Sequence, residues 1–485
     1  MRVRVSFTVL LSLLLTATAT GAQDLRAKVQ GYVKAHEQEI VGELTELLSI
    51  PNVASDKTNI RRNAEHLKGM LARRGLVTEL LETTGNPLVY GELKVPGAPR
   101  TLLLYAHYDG QAVNPAAWKQ PDPFTPVVRD GRLYARSAAD DKAPIEMICA
   151  ALDALSANGL RPTSNIRVIL DGEEEASSPS LVPAIAKYRD KLSADMMLVF
   201  DGPIHISNQP TIAFGARGIL TGTLTVFGPK VGVHSGNYGN WIPNPALRLA
   251  HLLASMKDDE GHVLVKGFYD AVHPMTPEEK QLVAAVPDDP ERMLRTFGVA
   301  APELAGRSLQ EGFQIPTLNI RGLASAHVGA TARTIIPDRA VAEIDIRLVK
   351  ETRSADMRDK VNAHIAAQGY HVVDGDPDDA TRARYSHIAS IVWDPSATEA
   401  FRTSPLDPRS RELVAALTRV YGQAPVQIRT LGGTVPIAPF IDALGFPAAL
   451  VPTVNFDNNQ HEENENLRLT NLFDGIVTVT AVLRM

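Results

Sequence analysis

Five short stretches of the chain gather side chains that could bind metal or move protons. The first is Leu-Leu-Leu-Tyr-Ala-His107-Tyr-Asp109-Gly. An imidazole just after a buried strand stands at the carboxyl edge of a sheet, where open α/β proteins build their sites. Asp109, two residues on, faces the same way and can take the ring's second N–H, fixing its tautomer. The second is Asp140-Asp141-Lys142. These acids open an apolar helix and could simply answer its N-terminal dipole; alternatively, Asp140 bridges two cations, one oxygen on each. The third, Glu173-Glu174-Glu175, follows another apolar run, where three like charges repel and are expensive without cations. The fourth is Asp201, at the end of the next apolar run, and the fifth is His461 among the acids of 457–465. Each alone has a bland reading as chance or as a solvated acidic run. Together they supply nitrogen and oxygen donors of the kind that suit zinc.

The elements that must position them are legible as hydrophobic pattern. Leu102 to Ala106, Ile166 to Leu170 and Met196 to Phe200 are short, continuous and apolar, the pattern of strands buried on both faces. A helix through Ile145 to Leu155 lies between the first two, so this half predicts an α/β unit with a largely parallel sheet. From Asp24 to Gly75 the pattern is helical, with Pro51 closing a stretch. The middle differs. Leu220 to Phe227, Thr317 to Arg321 and Val341 to Leu348 read as strands, and Pro245 to Met256 as a helix. A second helix starts at Ser354 as its cap, with His371 to Val373 as a last strand. The order β-α-β-β-α-β predicts a ferredoxin-like unit. A charged, proline-bearing insertion at 258–316 has no assigned place, and α/β character resumes after His387. The expected divisions are a leader at 1–22, a catalytic unit at 23–215 and 388–485, and an inserted unit at 216–387.

The leader is read from Arg2 and Arg4, the apolar run Val9 to Leu15, and Thr20-Gly21-Ala22. That is the layout of a cleaved secretory signal, cut after Ala22, and the run falls far short of the ~20 residues a spanning helix needs. The expected location is periplasmic or secreted. With 49 Lys and Arg against 55 Asp and Glu the chain carries −6, and loss of Arg2 and Arg4 makes it −8. A mildly acidic surface without basic clusters argues against nucleic acid and anionic membranes, which leaves a small-molecule partner. The single cysteine, Cys149, falls at helical spacing with Ile145, Ile148 and Leu152, so it reads as core.

The order and spacing of these stretches resemble the zinc metallopeptidases that include carnosinase, cytosolic nonspecific dipeptidase, glutamate carboxypeptidase and acetylornithine deacetylase. The resemblance runs from about Val41 to the C-terminus. It rests on His107-x-Asp109, Trp118 with Asp122-Pro123-Phe124, Gly131-x-Leu-Tyr to Asp140-Asp141-Lys142, the Glu pair, His234-Ser235-Gly236, and His461 with Asn464-Glu465. Thr334-Ile-Ile-Pro337 and Ile346-Arg347-Leu348-Val349 look most like the carnosinase-type dipeptidases. Ala106, Ala135, Ser137 and Ala143 stand where that family usually has glycine.

The resemblance implies a zinc-peptidase unit interrupted by a lid and dimerisation domain, two Zn2+ per subunit (Mn2+ or Co2+ being alternatives) and a homodimer. It implies that His107 and Asp201 hold one ion, Glu175 and His461 the other, and that Asp140 bridges. Asp109 would orient His107 and Glu174 would be the general base. His234 of a second subunit would meet the oxyanion. Arg347 would grip the substrate's terminal carboxylate, with Thr334, Gly433 and Thr434 nearby and His387 a further candidate. The implied activity is hydrolysis of dipeptides or short peptides with a free C-terminal carboxylate. A deacylase of N-acyl amino acids and an inactive binding protein are the rival readings.

Overall fold

The computed structural model describes residues 8–304 and 307–485. The basic start of the expected leader, Arg2 and Arg4, lies outside the described residues. No helix among those described is long and apolar enough to cross a membrane.

An eight-stranded sheet forms the larger body. Its order is Val77–Leu81, Leu88–Leu93, Asn165–Asp171, Thr101–His107, Met196–Val199, Ala448–Leu450, Thr211–Ala213, Val426–Ile428. Thr101–His107 lies between Asn165–Asp171 and Met196–Val199 and is parallel to both. Antiparallel pairs occur toward the two edges, so the sheet is mixed and largely parallel. The central strands are apolar throughout because both faces are covered. Leu102, Leu104 and Ala106 pack under the helices Thr8–Leu48, Lys142–Ala157 and Leu469–Leu483. Leu103 and Tyr105 pack on the other face with Leu181, Ile185 and Phe440. Cys149 is buried in the first of these cores.

A second, five-stranded sheet carries the middle of the chain, in the order Thr317–Ala324, Arg339–Leu348, Gly218–Phe227, Ile388–Trp393, His371–Val372. Helices Pro245–Met256 and Ser354–Ala367 cover one face through Leu249, Leu253, Met357 and Val361. The connection is ferredoxin-like, but the strand that completes it is Ile388–Trp393, paired antiparallel with Gly218–Phe227. His371–Val372 is only a two-residue edge. This sheet therefore runs past the expected division at residue 387, because the apolar run after His387 finds its partner here and not in the larger sheet. Ser354 is the first helical residue and not the cap; its Oγ donates to Glu399 at 2.6 Å.

The insertion folds as three short helices, Pro277–Ala284, Pro290–Phe297 and Leu309–Gly312. It docks on the larger body through buried polar contacts. Arg429 donates to Glu279 at 2.9 Å and to Gln314 at 2.6 Å, and His205 meets Asp288 at 3.1 Å.

Candidate metal centre

The three adjacent parallel strands end at one edge of the sheet and deliver their following residues there. His107 closes the central strand, opposite Asp171 of its neighbour. The turn after Asp171 carries the glutamates, and Asp201 follows the third strand. Gly172 is required in that turn, since a Cβ there would lie 2.4 Å from the Tyr108 hydroxyl. Asp140 precedes the helix Lys142–Ala157 and is joined to Asp141 by a cis peptide bond. His461 sits in the loop before Asn466–Arg468, which pairs with Arg132–Tyr134. That pairing brings the last stretch of the sequence against the segment leading to Asp140.

The result is two overlapping triads. Donor atoms of His107, Asp140 and Asp201 lie within 4.8 Å of one another, as do those of Asp140, Glu175 and His461. Asp140 belongs to both. Its Oδ1 is 2.9 Å from His107 Nε2 and its Oδ2 is 3.1 Å from His461 Nε2. Glu175 Oε2 is 3.3 Å from the same His461 nitrogen. Glu174 Oε2 stands 4.0 Å from His107 Nε2, at the rim of the first triad. Glu173 is turned away: its Oε1 accepts from the Asn86 backbone N–H at 2.7 Å. Of the three consecutive acids, the last two face the cluster.

Electrostatics explain why such a cluster calls for cations. Burial, then the charge of Asp140, pushes the Glu175 carboxyl up to about 7. Burial likewise raises Asp201 to about 6, with Asp140 adding to it. Glu174 is held well above its ordinary value by burial and by Asp201, Asp140 and Glu175. Asp140 is buried too, yet its hydrogen bonds from His107 and His461 hold it below the usual carboxylate range. His461 is raised to about 9, first by its bond to Asp140. Four carboxylates against two imidazoles, in a mostly buried site, form a nitrogen-and-oxygen donor set that fits divalent metal ions.

Two supporting carboxylates do more than the sequence suggests. Asp109, fully buried, meets His107 Nδ1 with its backbone carbonyl at 3.2 Å and with its carboxylate at 3.5 Å. It also accepts from the backbone N–H groups of Glu174 and Glu175, at 3.0 and 3.1 Å. One residue thus orients the imidazole and fixes the turn that carries both glutamates. Glu465, equally buried, accepts from the backbone N–H groups of Ser137, Ala139 and Asp140 and from Arg136 Nη1, each at 2.9 Å. It clasps the loop that aims Asp140. Among the alanine and serine positions where glycine was expected, only Ser137 has a left-handed backbone, φ +62. Its Oγ accepts from Asn52 Nδ2 at 2.9 Å, which offsets part of the cost. Ala106, Ala135 and Ala143 need no such freedom.

The residues expected around the substrate form separate groups. Arg347 Nη1 donates to Thr434 Oγ1 at 3.0 Å, joining the five-stranded sheet to the loop after Val426–Ile428. Gly433 leaves open space beside them. Pro436, two residues past Thr434, shares a cleft of about 640 Å³ with Ser177 and Ser178, which follow Glu175 after Ala176. His234 and Thr334 lie together on an exposed ribbon, 3.5 Å apart. Among the described residues no hydrogen bond or ion pair ties His234 to the triads. His387 packs against the Tyr370 ring, at 5.4 Å between centroids, and joins neither group.

A largely buried set of N and O donors at the carboxyl edge of a largely parallel sheet, with a spare glutamate at its rim, is an arrangement fit for metal-dependent hydrolysis. Residues 103–485 match the profile of "Peptidase family M20/M25/M40". The chain belongs to that family and is a metal-dependent peptide hydrolase. A Cys-Gly metallodipeptidase of Schizosaccharomyces pombe is 26% identical over 468 residues, covering 93% of this chain and 96% of that one. The Beta-Ala-His dipeptidase of Homo sapiens is 27% identical over 394 residues, covering 80% and 75%. An M20 family metallo-carboxypeptidase structure from Sulfolobus solfataricus superposes with a TM-score of 0.78 at 28% identity, covering 92% of this chain and 98% of that one.

Proposed function

We propose that this chain is an exported dipeptidase holding two zinc ions per subunit, acting on substrates with a free C-terminal carboxylate. The observation that carries this reading is Asp140, which offers one oxygen to the His107 side and the other to the His461 side. In this reading His107 and Asp201 hold one ion, Glu175 and His461 the other, and Asp140 is shared. Manganese or cobalt would suit the same donors. The ions, when bound, supply Lewis acidity and ease the deprotonation of water.

The remaining chemistry falls to the chain's own groups. Glu174 takes a proton from the attacking water and returns it to the nitrogen of the departing amine, which cannot leave without one. Burial and its acidic neighbours, which raise its affinity for that proton, support this role. Asp109 keeps His107 and the Glu174–Glu175 turn in register. Arg347 grips the terminal carboxylate with its planar fork, with Thr334, Gly433 and Thr434 around the substrate. His234 reaches the oxyanion from a second copy, a reading supported by its exposure and its lack of bonds to its own cluster. The second unit, 216–387 extended through Ile388–Trp393, then serves as lid and dimerisation domain. Export is supported by the leader pattern of Arg2, Arg4, the apolar run Val9 to Leu15 and Thr20-Gly21-Ala22.

The test is hydrolysis by metal-loaded mature protein of free dipeptides, their C-terminal amides, and N-acyl amino acids. Cleavage of the free dipeptides and not the amides is expected. Turnover of the N-acyl amino acids alone makes it a deacylase, and no turnover makes it a binding protein.

A further inference from the structure

The insertion at 258–316 encloses a cavity that the reading above does not use. Its short helices surround about 660 Å³, lined chiefly by Val286, Met293, Leu294, Phe297 and Phe313. That volume and lining suit a bulky apolar group. At the cavity's wall stands Arg217, which also lines a polar cavity of about 310 Å³ with Arg347, Asp345 and Asn319. The two cavities are therefore neighbours that share the Arg217 guanidinium, and with it the Glu303 carboxylate.

Arg217 is held but not neutralised. Its Nε donates to Gly432 O at 3.2 Å and its Cζ lies 5.0 Å from the centroid of the Phe313 ring. Phe313 packs so closely on Gly432 that a Cβ there would sit 2.9 Å from the ring. Among the described residues no carboxylate pairs with Arg217. Arg347 holds the other end of the same turn through Thr434, so two guanidinium groups flank Gly432 to Thr434. The acid beside them is Asp345, 3.8 Å from Arg347 Nε. With Lys257 and Glu303 of the same cavity paired to each other at 2.7 Å, the two guanidinium groups and Asp345 leave a surplus of one positive charge, the complement of a single carboxylate. Burial, and then the charge of Arg347, lowers Arg217 to about 10. An anion between the two would relieve that repulsion.

We propose that Arg217 and Arg347 together clamp the substrate's terminal carboxylate, and that the insertion's apolar cavity receives the side chain of the C-terminal residue. Preferred substrates then end in a large apolar or aromatic residue. The C-terminal residue bears its carboxylate and its side chain on one carbon, which matches an anion site and an apolar cavity sharing a wall. The inference rests on the amide-hydrolase reading given above.

The experiment measures kcat and KM of the metal-loaded full chain on Ala-Gly, Ala-Leu, Ala-Phe and their amides, and on N-acetyl-Gly and N-acetyl-Phe. Ala-Phe should exceed Ala-Gly in kcat/KM on the order of 10- to 100-fold, the effect of burying a large apolar side chain. Arg217→Met should raise KM for Ala-Phe about tenfold or more with kcat little changed, and narrow the ratio of free acid to amide. Ala284→Trp, which fills the cavity, should erase the Phe-over-Gly ratio but not the acid-over-amide ratio. If Arg217→Met does not fold, Arg217→Lys decides, because it keeps the charge and loses the fork. A flat C-terminal profile, or an unchanged KM in the Arg217 variant, overturns the inference while Ala-Gly cleavage preserves the dipeptidase reading. Turnover of N-acetyl-Phe over N-acetyl-Gly without dipeptide cleavage overturns that reading and keeps the clamp and cavity. No turnover in either set overturns both.

Discussion

Glu465→Gln isolates the clasp on the Asp140 loop, because it keeps the side chain's shape and removes its charge. All four partners of Glu465 are donors: Ala139 N and Asp140 N to Oε1, Ser137 N and Arg136 Nη1 to Oε2. A glutamine must set its NH2 against one of these pairs, whichever way it is turned. Two hydrogen bonds to an ionised acceptor are then lost, at ~1.5–3 kcal/mol each. Arg136, 3% exposed, is left without its carboxylate partner. Removing one member of a buried ion pair costs about 3–5 kcal/mol, which agrees with the sum of the two bonds. Either orientation loosens the clasp on residues 136–140 that aims Asp140, so metal affinity should also fall, by ~10- to 100-fold as for other outer-shell changes. The assay is denaturant unfolding of the metal-loaded and chelated variant beside the parent, with a competitive metal titration. A loss of stability under about 1 kcal/mol together with unchanged affinity would refute the reasoning.

Chelation should make stability fall as pH rises. Glu175 and Asp201 have folded values of about 7 and about 6, above their unfolded ones. The folded metal-free chain keeps those protons after the unfolded chain has lost them, so stability drains from about pH 4 upward to about pH 7. His461, raised to about 9, adds a loss that begins near its unfolded value and ends beyond pH 8. The gap in Tm between metal-loaded and chelated protein should therefore widen from pH 5 to pH 8; a constant gap counts against the account. Ser137→Ala keeps the left-handed φ but removes the bond from Asn52, and should cost about 1–2 kcal/mol by denaturant unfolding. Ser137→Gly relieves the backbone and should cost less than the alanine; the reverse order contradicts the geometry.

The catalytic sheet was legible because buried parallel strands are written as unbroken apolar runs, and the acids and His107 follow those runs directly. The family pattern told where to look within Glu173-Glu174-Glu175, and the turn held by Asp109 shows which two face the cluster. The hold of Asp109 on the glutamate amides and of Glu465 on residues 136–140 was not legible. Each is a side-chain contact to a backbone distant in sequence, and neither leaves a periodicity. The insertion escaped placement because its helices are only eight and four residues long, too short for an amphipathic period to stand out. Their starts were marked all the same, by Thr276-Pro277 with Glu279 in a capping box and by Asp289-Pro290. The last strand of the second sheet was misplaced for a different reason. Pattern alone does not tell which sheet an apolar run joins, and Ile388–Trp393 joins the strand at Gly218–Phe227.

The most direct test of the central claim is the turnover of Glu174→Gln at full metal occupancy on a cleavable dipeptide. Glu174 stands 4.0 Å from His107 Nε2, beyond the ligand triads, so its amide should leave metal binding intact. The account predicts two metal ions per chain, KM close to the parent's, and kcat lower by ~10²–10⁴, the range for losing a positioned proton carrier. Parent-like turnover in the loaded variant would contradict it and move the proton transfer to another group.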